Sequence, residues 1–128
     1  MRKIVLLALT VLLVGGIVSL AGADTTKPTV SFSEDILPIL QTRCTSCHSP
    51  GGEGTQKSGL VLSSYEGLMK GTKFGPVVNP GDPVTSNLMV LLDGRADKSL
   101  QMPHGKKRLT SCDRDLIRTW IHEGAQNN

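Results

Sequence analysis

Two cysteines and a histidine lie within five positions of the stretch RCTSCHSP, residues 43–50, as Cys44, Cys47 and His48. Thiolate and imidazole groups are ligands of zinc, and a C-x-x-C pair can exchange electrons as a dithiol. The spacing C-x-x-C-H is also the signature of covalent haem attachment. These residues alone agree with all three chemistries, so the choice depends on the rest of the chain.

The zinc and thiol interpretations lack the residues that usually accompany them. A structural zinc site commonly has two ligand pairs, whereas His104 and His122 are far apart in the chain and form no second pair. A thioredoxin-type C-x-x-C belongs to a βαβ pattern, which this sequence does not show. A zinc- or thiol-based binding module without haem therefore stays open only as an alternative.

Haem attachment gives the spacing a physical reason. One helical turn separates Cys44 from Cys47, so both sulfurs reach one edge of a porphyrin and can add to its two vinyl groups. The imidazole of His48 then lies beneath the ring, with one nitrogen directed at the iron. We therefore predict one covalently attached haem c, with Cys44 and Cys47 as attachment residues and His48 as an axial ligand of the iron.

The N-terminus has the layout of a secretory signal peptide. Arg2 and Lys3 precede an apolar run over residues 4–20, and an A-x-A site at residues 21–23 precedes polar residues. We predict export by a Sec-type signal, residues 1–23, cleavage after Ala23, and a periplasmic protein. An uncleaved membrane anchor is the alternative, because the apolar run lies at the lower edge of a spanning length.

Residues 24–31 are predicted to form a flexible tether, and residues 32–128 a single domain. The formal net charge is +3, and two of the basic residues lie in the signal segment, so nothing favours nucleic acid as a partner. The chain has one Trp, one Tyr and two Phe, and its three cysteines cannot all pair. A cofactor that fills part of the core would compensate for this shortage.

Hydrophobic periodicity predicts an all-α domain with a loop-rich middle. Ser33 is expected to cap a first helix. Because Pro38 disturbs its first turn, either the regular part begins near Leu37 or that turn is kinked. The apolar face of that helix leads to Cys44. Residues 49–59 and 97–109 are predicted to be loops.

Three further helices follow from caps and spacing. A short helix is expected after Ser63 and ends by Gly71, and another spans residues 88–92 and is closed by Gly94. The last helix begins at the capping pair Thr110 and Asp113 and ends at Gly124. Its expected buried stripe consists of Cys112, Leu116, Ile117, Trp120 and Ile121.

Five segments of the chain occur in the order typical of one family. They read FSEDILPILQTRCTSCH, GLVLSSYEGLMKG, VVNPGDPVTSNLM, MPHG and LIRTWIHEGA, from residue 32 to residue 125. In these segments the chain resembles a small class I cytochrome c, and in particular planctomycete-type cytochrome c domains. The resemblance implies N- and C-terminal helices packed around a covalently bound haem, and electron transfer rather than substrate turnover. Cys112 departs from the family pattern.

The sixth ligand of the iron is predicted to be Met102. It lies in a predicted loop and precedes Pro103, and the resemblance matches this pair to the family's methionine–proline pair. His104, two residues away, is the rival ligand, and an open site is a third alternative. Met69 and Met89 are expected to pack in the core, because each lies on the apolar face of a short predicted helix.

Three other features agree with both a functional and a structural role. The cluster Lys106, Lys107 and Arg108 precedes the cap of the last helix, where cations are unfavourable; it can offset haem propionates, dock an acidic redox partner, or simply be solvated. Cys112 is expected to be a small buried residue, with an intermolecular disulfide as the alternative. His122 is expected to be solvated.

The sequence thus predicts a mono-haem c-type cytochrome, which transfers electrons between redox partners outside the cytoplasm and is not an enzyme. The main alternative is a haem-based sensor or binder of small ligands, in which the sixth ligand leaves the iron.

Overall fold

The computed structural model describes residues 28–128, which form helices and loops without a β-strand. The predicted signal peptide and residues 24–27 of the tether lie outside the described residues. The all-α prediction is confirmed for the described part, in which no helix has the length and apolar character needed to cross a membrane. A π-helical turn, Phe32–Ile36, leads into the helices α1 Leu37–Arg43, α2 Thr45–His48, α3 Glu53–Ser58, α4 Tyr65–Lys70, α5 Asn87–Leu92 and, after a 3₁₀ turn at Lys98–Leu100, α6 Ser111–His122.

The first helical segment changes its hydrogen-bond spacing at a proline. The prediction that regular helix begins near Leu37 is confirmed, and residues before it form the wider π turn. Pro38 has no N–H to donate to the carbonyl four residues earlier, so the turn before it accommodates the longer spacing. The predicted cap at Ser33 is wrong. Ser31 is the cap, because its hydroxyl accepts from Glu34 N and its own N–H donates to Asp35.

The C-terminal helix α6 begins with the predicted capping box. Thr110 Oγ1 accepts from Asp113 N at 3.1 Å, and the Asp113 carboxylate accepts from Thr110 N at 3.3 Å. Of the predicted stripe, the central residues Ile117, Trp120 and Ile121 are buried. Cys112 is exposed, so the expectation that it is buried is wrong. It lies in the first turn of the helix, whereas the residues that contact the core, Leu116, Ile117, Trp120 and Ile121, lie further along it. His122 is exposed as expected.

Three of the four aromatic side chains join the two ends of the described part of the chain. The ring of Phe32 lies 5.2 Å from that of Tyr65 and 5.5 Å from that of Trp120, measured between centroids. The polar atoms of Tyr65 and Trp120 are hydrogen-bonded as well. Tyr65 Oη donates to Ala125 O and Trp120 Nε1 donates to Gln126 O, both at 2.9 Å. This cluster packs the beginning of the first helix against α6 and against the residues that follow it.

Backbone hydrogen bonds extend this contact to residues 28–31. The Glu123 carboxylate accepts from the N–H groups of Thr29 and Val30, and Asn128 Oδ1 accepts from Phe32 N. These bonds lower the pKa of Glu123, chiefly through the hydroxyl of Thr29. Val30 is buried. The packed structure therefore includes residues that the sequence analysis assigned to the flexible tether.

The middle of the chain contains one helix more than predicted. Residues 49–59 were expected to be a loop, but they include α3, which ends at Gly59 with a φ of +81°. Helix α4 is capped by Ser64 instead of Ser63. Helix α5 lies where it was predicted, and Gly94 follows it with a φ of +68°. Asp93, at the end of α5, forms ion pairs with Arg114 and Arg118 of α6.

We predict that Phe32→Ala destabilises the folded chain by about 3 to 5 kcal/mol, because it removes the ring that joins Tyr65 to Trp120. Phe74→Ala is the matched control, since Phe74 is 83% exposed and its loss should change stability by less than about 0.5 kcal/mol. Chemical denaturation followed by tryptophan fluorescence measures both. Equal effects of the two substitutions would contradict the proposed role of the cluster.

Candidate functional site

The three residues of the C-x-x-C-H stretch lie on a single helical turn. Helix α2 follows α1 directly, and the N–H groups of Cys47 and His48 both donate to the carbonyl of Cys44, at 3.1 and 3.0 Å. Cys44 and Cys47 are free thiols; Cys44 is half-buried against the core and Cys47 is exposed. The turn thus presents two thiols, one anchored at the core and one at the surface.

The imidazole of His48 is buried and held by a backbone carbonyl. Its Nδ1 lies 3.3 Å from the carbonyl oxygen of Leu60. Because a carbonyl only accepts, this contact assigns the proton to Nδ1 and leaves the lone pair on Nε2. Nε2 makes no hydrogen bond to any residue of the described chain, and the neutral tautomer with a free Nε2 is the form that binds a metal.

Helix α3 can lie against this imidazole because Gly54, within the helix, and Gly52, just before it, carry no side chain. A Cβ at Gly54 would come 2.8 Å from His48 Cε1 and 2.9 Å from His48 Nε2, and one at Gly52 would come 2.4 Å from Cys47 O. Sequence reasoning missed this helix, since the glycines suggested a flexible loop. The available signal was the run TQKS between Gly54 and Gly59, which is compatible with one helical turn and a glycine C-cap.

The loop that carries Met102 and His104 runs beside the motif. Met102 is half-buried and packs against the core, and its N–H donates to Leu91 O at 3.4 Å. Further along the loop, Lys106 Nζ donates to Ser46 Oγ at 2.8 Å. His104 is exposed. The loop is therefore tied to α5 at one end and to α2 at the other.

Met69 and Met89, the other methionines among residues 28–128, lie in helices. Met89 is fully buried in α5, and Met69 is half-buried in α4 and packs against the core. Both positions agree with the expectation that these two side chains fill space.

The predicted basic cluster is divided between two neighbouring sites. Lys106 and Lys107 are exposed. Lys106 lies beside α2, where it donates to Ser46, and Arg43 Nη2, at the end of α1, donates to Lys107 O at 2.7 Å. The Arg108 guanidinium instead turns toward the end of α5, where it donates to Leu92 O at 3.3 Å and lies against Gly94.

Residues 44–104 match a protein-family model described as planctomycete cytochrome C. The resemblance to planctomycete-type cytochrome c domains is confirmed. The chain is also 30% identical, over a 125-residue alignment, to hydrazine synthase subunit alpha of Kuenenia stuttgartiensis. That alignment covers 77% of this chain but only 15% of the relative, so the chain spans a small part of that protein's length. No solved structure matches the chain.

The family match indicates haem-based electron transfer and a covalently bound haem c. The described residues fit that group: two free thiols lie one turn apart, and the adjacent imidazole keeps Nε2 available. Within residues 28–128, by contrast, no three His, Cys, Asp or Glu side chains come together as a metal-binding group, so the zinc alternative lacks a ligand set there.

The thiol alternative also lacks the usual electrostatic support. Burial raises the pKa of the Cys44 thiol to about 11, and the positive charges of Arg43 and Lys106 offset this only in part. A redox-active C-x-x-C normally contains a thiol of lowered pKa, because the thiolate is the nucleophile. Cys44 in this environment remains a protonated thiol at neutral pH.

We predict that the native protein contains one reactive thiol, which belongs to Cys112. Thioether bonds would consume Cys44 and Cys47, while Cys112 is exposed and free. Maleimide labelling followed by intact-mass measurement should give a single adduct, both before and after denaturation, and Cys112→Ser should give none. Three adducts after denaturation would show that no thioether bond is present.

Proposed function

We propose that the chain is a mono-haem c-type cytochrome that carries electrons between redox partners outside the cytoplasm and performs no catalysis of its own. The observation that carries this proposal is the hydrogen bonding of the His48 imidazole. Its buried imidazole donates through Nδ1 to Leu60 and follows directly after two free cysteines on one helical turn. This donor set suits haem c, and it lies inside the segment that matches the cytochrome c family.

Each residue has a distinct role in the proposal. Haem supplies a one-electron couple between ferric and ferrous iron when it is bound. Cys44 and Cys47 would hold it to the chain through thioethers, and His48 Nε2 and the Met102 sulfur would bind its iron. The Leu60 carbonyl fixes the orientation of the imidazole, and the contacts of Met102 N with Leu91 O and of Lys106 with Ser46 restrain the opposite loop.

Electron transfer is favoured over ligand binding or catalysis by the way Met102 is held. A methionine that packs against the core, in a loop bonded at both ends, is suited to stay on the iron in both oxidation states. His/Met ligation also raises the reduction potential above that of a bis-histidine site. The enzyme-subunit relative is not evidence for turnover here, because this chain corresponds to only 15% of its length.

We predict that Met102→Ala opens the iron to added ligands and lowers the reduction potential. The oxidised protein should lose the weak far-red band of sulfur on iron, and the reduced protein should bind carbon monoxide at least ten times faster. Met69→Leu is the control, because Met69 packs in α4, and it should leave the spectrum unchanged. An unchanged spectrum in Met102→Ala, together with a changed one in His104→Ala, would transfer the ligand role to His104. Rapid carbon monoxide binding by the unmodified protein would favour the sensor alternative.

The site of action in this proposal is the periplasm. Its support is the sequence of the first 23 residues, with their positive start, apolar run and A-x-A site. N-terminal sequencing of protein from a haem-maturing host tests it: an N-terminus at Asp24 agrees with cleavage, whereas Met1 would indicate a retained anchor.

We propose that a redox partner with an acidic surface docks on the exposed surface around Cys47. Cys47 is exposed there, the Lys106 ammonium donates to Ser46 in the same helix, and the exposed Lys107 is the next residue in the loop. Since the thioether at Cys47 would bring the porphyrin edge to this surface, positive charge at this position attracts acidic partners to the point of electron exit.

We predict that Lys106→Glu with Lys107→Glu slows electron exchange with the anionic reagent hexacyanoferrate several-fold at low ionic strength, and speeds exchange with a cationic cobalt complex. The control is Lys70→Glu with Lys73→Glu, which makes the same change in net charge at exposed positions on α4 and the turn after it. Stopped-flow rates across a salt series measure both pairs. Equal effects of the two pairs would mean that only net charge matters, and would contradict docking near Cys47.

A further inference from the structure

The carbonyl oxygen of Leu60 accepts two hydrogen bonds, and only one of them comes from His48. The hydroxyl of Thr55, in helix α3, donates to it at 2.8 Å, while His48 Nδ1 lies at 3.3 Å. Both contacts are compatible, because a carbonyl oxygen has two lone pairs. The hydroxyl makes the shorter contact, so the imidazole shares this acceptor with a closer donor.

The segment that carries the carbonyl is fixed from several sides. Leu60 N donates to Ser58 Oγ at 3.1 Å, and Leu62 N donates to the carbonyl of His48 at 2.7 Å. Leu60 itself is buried. Because the backbone is held in this way, removal of the Thr55 hydroxyl would change the electron density on the carbonyl oxygen more than its position.

A donor that shares a carbonyl weakens that carbonyl as an acceptor for the second donor. The bond from Thr55 draws electron density from the oxygen, so the oxygen attracts the Nδ1 proton less strongly. The strength of that attraction matters, since a stronger hydrogen bond at Nδ1 makes the imidazole a more basic ligand through Nε2. The Thr55 hydroxyl therefore limits the basicity of the imidazole.

We propose that Thr55 is a positioning residue that acts on His48 through the Leu60 carbonyl and sets how strongly the imidazole donates to the haem iron. This inference rests on the proposed function, in which His48 is an axial ligand. A less basic imidazole stabilises ferric iron less, so Thr55 holds the reduction potential of the protein higher than it would be without the hydroxyl.

The position of Thr55 depends on its glycine neighbour. Gly54 lets the backbone of α3 approach the imidazole more closely than any side chain would allow. The next residue is thereby brought within hydrogen-bond distance of the carbonyl that His48 uses. Helix α3 thus contacts the imidazole twice, directly at Gly54 and through Leu60 at Thr55.

The test compares Thr55→Val with Thr55→Ser in the complete haem-containing protein. Valine keeps the branched shape and removes the hydroxyl, and serine keeps the hydroxyl. Thr42→Val is the control, because Thr42 Oγ1 makes the same kind of bond, to Pro38 O at 2.8 Å, on the exposed side of α1. Midpoint potentials come from a spectroelectrochemical titration, and the Nδ1 proton of His48 is observed by NMR of the reduced protein.

We expect Thr55→Val to lower the midpoint potential and to move the Nδ1 proton resonance downfield, while Thr55→Ser and Thr42→Val stay close to the unmodified protein. If the valine variant does not fold, Thr55→Ala removes the same hydroxyl and must shift both quantities in the same direction. A purely structural role would lower the melting temperature and leave the potential unchanged, which would overturn the inference. An upward shift would overturn it as well.

These outcomes separate the inference from the function on which it rests. If the unmodified protein has His48 on the iron and the Thr55 variants keep its potential, only the role of Thr55 is wrong. If the unmodified protein carries no covalent haem, both are wrong.

Discussion

The carbonyl oxygen of Leu60 links the site to the fold. It fixes the tautomer of His48, and it is itself held by Thr55 and by the buried segment around it. A histidine that is free to rotate presents either nitrogen to a metal, whereas one whose Nδ1 is engaged presents only Nε2. The chemistry of the C-x-x-C-H stretch therefore depends on a residue twelve positions later, and on the helix that brings this residue back to the imidazole.

The start of helix α3 can pack closely against α2 because glycines, which have no side chain, lie where the two helices meet. A side chain at Gly52 or Gly54 would collide with Cys47 or His48. Glycine within a helix costs about 1 kcal/mol of stability relative to alanine, and the close packing of α3 on His48 offsets this cost. The large side chains are concentrated elsewhere, where Phe32, Tyr65 and Trp120 join the ends of the chain. The molecule thus has a rigid aromatic contact between its ends and a close backbone contact at the site.

The sequence predicted those features whose causes are local. Thr110 with Asp113, Gly94 after α5, and the effect of Pro38 all depend on neighbouring residues, and each was confirmed. The errors have long-range or competing causes. Residues 28–31 are ordered by Glu123 and Asn128 at the other end of the chain, which no local pattern reveals. Cys112 fits the helical period, but no core side chain covers the first turn of α6 at this position, so the thiol is exposed. Ser31 and Ser33 both fit a cap, and the hydrogen bond between Ser31 N and Asp35 distinguishes them.

The two sides of the proposed haem site are held with different strength. On the His48 side the contacts are buried backbone and ring contacts, and a buried hydrogen bond that loses its partner costs about 1 to 3 kcal/mol. On the Met102 side, the bond between Lys106 and Ser46 is exposed, so both groups can hydrogen-bond to water when it opens. Opening the Met102 loop therefore requires less free energy than displacing the imidazole. If the proposed haem site exchanged a ligand, we would therefore expect the exchange at Met102. In that proposal, electron transfer and ligand sensing would differ in the stability of the Met102 loop and not in the contacts of His48.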